Sequence, residues 1–67
     1  MSASEYRRGR ILGKAAGVSA HRRGQDFYDA GLDEVKAEAK RGDAFDRGYY
    51  VGFKEAVAPA VEPAGDA

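Results

Sequence analysis

The chain has 67 residues, no cysteine, one histidine and equal numbers of acidic and basic side chains. That excludes disulfides, thiolate metal sites and any multi-histidine centre within one copy. It leaves room for one small domain, which needs self-association or a partner to supplement its core. No apolar run approaches the length of a membrane span, and the N-terminus lacks the apolar stretch of a signal peptide, so a cytoplasmic protein is expected.

The charge is balanced in total but divided along the chain. Residues 1–25 carry Arg7, Arg8, Arg10, Lys14, Arg22 and Arg23 against Glu5 alone. Residues 26–46 carry seven acids against Lys36, Lys40 and Arg41. A basic front third points to an anionic partner, or to an acidic surface within the fold or across a dimer.

Ser2-Ala3-Ser4-Glu5 fits a capping box and opens a first helix over about 3–16. Its feature is Gly9-x3-Gly13-x3-Gly17. Each glycine costs ~1 kcal/mol against alanine in a helix. With Tyr6, Leu12 and Ala16 the glycines form a smooth strip that another backbone could approach closely; the alternative is a frayed basic arm. Arg7, Arg10 and Lys14 share a narrow arc, an electrostatic footprint for phosphates or an acidic protein.

Gly17-Val18-Ser19 reads as a break with Ser19 as the next cap, giving a second helix over about 20–41. Ala20, Gly24, Phe27, Tyr28, Gly31, Leu32, Val35 and Ala39 fall on one side of it. Gly31 marks a kink, or a true break with Asp33 as a new cap. His21 sits at the edge of this arc beside Arg22 and Arg23, as an ordinary boundary residue or one able to stack on a base.

Gly42 then stops one helix and Asp43 caps the next. Over 43–58, Phe45, Tyr49, Gly52, Phe53 and Ala56 form one arc, and Pro59 ends the helix. Gly48-x3-Gly52 implies close approach of another helix, either the second helix or a symmetry mate. Tyr50 and Val51 project to a different side and suggest a second contact surface. The segment Gly48, Tyr49, Tyr50, Val51, Gly52 and Phe53 is therefore the expected packing or oligomer interface. The tail 59–67, with two prolines and no period, is expected to be disordered. Arg41-Gly42-Asp43 spells an adhesion tripeptide but is accounted for by helix-stop and helix-cap chemistry.

No stretch shows sustained period-2 alternation, so the expected fold is all-α. It is an antiparallel hairpin of the second and third helices with an additional N-terminal basic helix, dimeric or partner-bound, over residues 1–58. No catalytic constellation, phosphate loop or cofactor motif is present, and a binding protein rather than an enzyme is expected.

Two segments resemble the ribosome modulation factor family, small proteins that associate with the bacterial ribosome. They are Ala20-His21-Arg22-Arg23-Gly24, continuing to Ala30-Gly31, and Gly52-Phe53-Lys54-Glu55-Ala56. Phe53 stands where that family has tryptophan, and Glu34 to Arg41 replaces its Cys-Pro-Tyr connector. The resemblance implies ribosomal RNA as the partner, contacted through Arg7, Arg10, Lys14, Arg22 and Arg23. The alternative is a small inhibitor, of the kind phages encode, that docks on a larger host or defence complex.

Overall fold

A computed structural model describes residues 2–56. They form three helices, α1 (Ser2–Arg22), α2 (Gln25–Arg41) and α3 (Ala44–Glu55), with no strand among the described residues. The expected end of the last helix at Pro59 and the tail 59–67 lie outside the described residues.

The first helix is longer than expected. It runs through Gly17-Val18-Ser19 without a break, so Ser19 is not a cap and Ala20 to Arg22 close α1 rather than open α2. The chain turns at Arg23 and Gly24 instead. The Arg23 and Gly24 amides donate to the Ala20 and His21 carbonyls at 3.0 and 3.1 Å. Gly24 has φ 125°, a conformation that side chains with a Cβ strongly resist. Its carbonyl accepts from the Tyr28 amide, starting α2. α2 then passes Gly31 unbroken, and Asp33 caps nothing.

The second turn follows the expected local chemistry. The Gly42 amide donates to Glu38 at 2.7 Å, and the Asp43 carboxylate accepts from the Phe45 and Asp46 amides at 3.1 and 3.4 Å. Such a cap satisfies donors that the first turn leaves open and contributes ~1 kcal/mol.

The tightest contact in the molecule joins α1 to α3. A methyl group built on Gly9 would strike the Phe45 carbonyl, one on Gly13 the Tyr49 carbonyl, and one on Gly17 the Phe53 carbonyl at 2.7 Å. Reciprocally, Gly48 faces the backbone of Tyr6 and Arg10, and Gly52 that of Arg10 and Lys14. The pairing advances in the same sense along both helices, so α1 and α3 run parallel, backbone against backbone. The helix that Gly48 and Gly52 approach is thus α1, neither α2 nor a symmetry mate. Five residues with poor helix propensity are tolerated because only hydrogen fits there. The close approach also permits Cα–H···O contacts between the helices.

α2 packs on α3 through the ring of Phe53. Tyr28 stacks on Phe53 with ring centroids 4.9 Å apart, and its hydroxyl donates to the Phe53 carbonyl at 2.7 Å. A Cβ on Gly31 would meet the tip of the Phe53 ring at 3.0 Å. The buried apolar core is Ala20, Tyr28 and Phe53, with Ala16, Leu32, Val35 and Tyr49 packed around it.

Candidate binding surfaces

α1 presents the basic surface. Its buried stripe of Gly9, Gly13, Gly17 and Ala20 faces α3, which turns the opposite side outward, and Arg7, Arg8, Lys14 and Arg22 are all exposed. No ion pair holds any of these four among the described residues. Arg10 departs from the expectation. Its guanidinium makes a two-pronged pair with Glu55, Nε to Oε1 at 3.0 Å and Nη2 to Oε2 at 2.7 Å. The pair clasps the α1–α3 seam from outside. Those hydrogen bonds, helped by the charges of Arg10 and Lys14 and opposed by desolvation, hold the Glu55 carboxyl below the ordinary glutamate range. Arg10 is thus paired within the chain yet half exposed, and the cations of α1 without an ion pair among the described residues are Arg7, Lys14 and Arg22, with Arg8 beside them.

Arg23 lies in the turn with its guanidinium carbon 4.4 Å from the centroid of Phe27. His21 meets the edge of Tyr28 at 5.7 Å. Around α3, Gly48, Gly52 and Phe53 are buried, while Tyr49, Tyr50 and Val51 are half-buried. Lys54 covers the Tyr50 ring at 4.9 Å. The 48–53 segment is thus spent largely on packing within the chain.

The stretches that carry the family resemblance converge at one place. Ala20 shares the buried cluster with Phe53, and Gly31 faces the Phe53 ring. Packing accounts for these residues directly.

Phe27 and Tyr28 share the expected apolar side of α2, but Phe27 is 48% exposed and Tyr28 takes the inward position. Phe27 instead stands on one lip of a groove of about 480 Å³. Ala16, Ser19 and Ala20 of α1 form one wall, Phe27, Gly31 and Val35 of α2 the other, and Tyr49 and Phe53 of α3 the floor. The groove lies between α1 and α2, over α3. Ile11, Leu12 and Val18 add exposed apolar surface on α1, Ile11 at 62%.

No group of three or more metal-ligating side chains occurs among the described residues, and no described helix is long and apolar enough to cross a membrane. No family model matches the chain, and no curated protein or solved structure matches it.

Proposed function

We propose that this is a non-catalytic, cytoplasmic binding protein that associates with ribosomal RNA through the outer face of α1, with α2 and α3 forming an antiparallel hairpin that braces it. The observation that carries the reading is the set of exposed cations on that face, Arg7, Arg8, Lys14 and Arg22, against the single acid Glu5. The family resemblance supplies the identity of the anionic partner. The one imidazole beside these cations, His21, already sets its edge against Tyr28, so contacts go chiefly to phosphates.

Gradient sedimentation of cell extract tests it: the protein co-migrates with ribosomal particles at low salt and leaves them as salt rises. Substituting Arg7, Lys14 and Arg22 together by alanine reduces the slope of log K against log salt by about 2–3, with helicity retained. Migration at the top of the gradient at low salt overturns the reading.

A second reading is favoured by the exposed Ile11, Leu12, Val18 and Phe27. They suit docking on a larger protein complex as an inhibitor. That mode predicts a stoichiometric complex that survives nuclease and high salt in a pull-down.

A further inference from the structure

We propose that Glu55 restrains the anion-binding face of α1: its carboxylate holds Arg10 where a phosphate would sit, so that a polyanion gains this cation only by displacing it. This rests on the reading of α1 as a phosphate-binding face.

Position gives the first argument. Arg7, Arg10 and Lys14 stand at i, i+3 and i+7, along about 10 Å of one helix face. At Gly52, α3 passes against the backbone of Arg10 and Lys14. Side chains tilt toward the N-terminus of their helix, so Glu55, nearly a turn further on, reaches back toward these cations. Both of its oxygens close on Arg10, and the charge of Lys14 acts on the same carboxylate. Among the described residues, Glu55 is the acid that forms an ion pair with α1.

Chemistry gives the second. The Nε and Nη2 donors of Arg10 form a fork that grips two oxygens, and a phosphodiester presents two oxygens to that fork just as a carboxylate does. Glu55 and a phosphate are therefore rivals for one edge of the guanidinium. The pair is open to solvent, with the Arg10 side chain 51% and that of Glu55 33% exposed, so a strand can reach it. Exposed pairs contribute little to stability. The glycine contacts of the seam lie beneath it, so the clasp can open while α1 and α3 stay together.

The test is fluorescence anisotropy with a labelled oligouridylate at low salt. Glu55→Gln binds it about two- to fivefold more tightly than wild type, which is the competition an exposed pair offers. Asp33→Asn makes the same change of net charge at an exposed position of α2 and shifts affinity less. In an Arg10→Ala background, Glu55→Gln adds no more than Asp33→Asn does. Circular dichroism shows wild-type helicity in each variant. A Glu55→Gln protein that binds no more tightly than Asp33→Asn, or not at all, overturns the proposal, as does a full gain without Arg10. Sedimentation with ribosomal particles is scored separately: a chain that co-migrates with them yet shows no effect of Glu55 keeps the RNA reading and loses this one, and a Glu55 effect without co-migration does the reverse.

Discussion

Replacing Gly13 by alanine sets two physical effects against each other with opposite signs. Helix propensity alone favours alanine by ~1 kcal/mol, and a surface helix would become more stable. In the folded chain the new methyl falls on the Tyr49 carbonyl, with the Tyr49 Cα at 2.8 Å. Carbon atoms pack at roughly 3.5–4.0 Å, so α1 and α3 must part by about 1 Å, which forfeits up to half of each contact along the seam. The obstacle is backbone in a helix and cannot rotate aside. Overpacking of this kind costs ~1–3 kcal/mol. Taking the upper value, the net loss is about 2 kcal/mol, a melting temperature lower by roughly 8–16 °C for a domain of this size. Gly31→Ala provides the comparison. There the new methyl meets only the tip of the Phe53 ring at 3.0 Å, which can yield by a few tenths of an ångström, so the propensity gain offsets the crowding. Thermal melts by circular dichroism rank the variants. A Gly13→Ala protein that melts above wild type would refute the backbone-to-backbone seam.

Phe53→Ala removes the ring around which Ala20, Tyr28 and Gly31 gather, and should cost ~3–5 kcal/mol in urea unfolding; a midpoint like wild type would mean that the core lies elsewhere. Tyr28→Phe removes the hydroxyl that donates to the Phe53 carbonyl and should cost ~0.5–1.5 kcal/mol. Burial, reinforced by the nearby Asp29 charge, raises the Tyr28 hydroxyl above the ordinary tyrosine range. Its contribution is therefore present below the unfolded-state pKa and is lost as pH rises through the folded one, so Tyr28→Phe should soften the loss of stability in alkaline melts. Glu55 behaves oppositely. Its carboxyl is held low by Arg10, so its contribution is present above the ordinary glutamate pKa and is lost as pH falls through the depressed value. Glu55→Gln should show a flatter fall in urea midpoint on acidification from neutral to about pH 3, and an unchanged slope would argue against the pair in solution.

Local chemistry was legible in the sequence. Asp43 is followed by an amphipathic run, and its carboxylate caps α3 in the structure. The glycine strip of α1 reads as a surface for close approach, because spacing defines a face. Spacing does not define who meets that face, and the partner proved to be α3. Gly17 and Ser19 imitate a helix boundary, but Gly17 is needed against Phe53, and contact with α3 overrides the local signal. Phe27 and Tyr28 are neighbours, and periodicity alone did not settle which turns inward. Tyr28 does so, where its hydroxyl finds the Phe53 carbonyl. Arg10 looked like a free cation because Glu55 lies 45 positions away, beyond any local pattern.

The seam between α1 and α3 also sets an order of events. α1 is synthesised first, yet three of its residues are glycines on the face that α3 covers, and a segment so poor in propensity does not hold a helix by itself. It takes its shape from a helix that leaves the ribosome last among the three. Until then the front of the nascent chain is a flexible cationic strand, and α2 has no ring of Phe53 on which to stack Tyr28. Closing the distance from Gly13 to Tyr49 carries a loop-closure cost before any seam contact is gained. A chain stopped after α2 would thus fail as a whole rather than survive as a smaller bundle. Assembly waits for the third helix and then proceeds as one step.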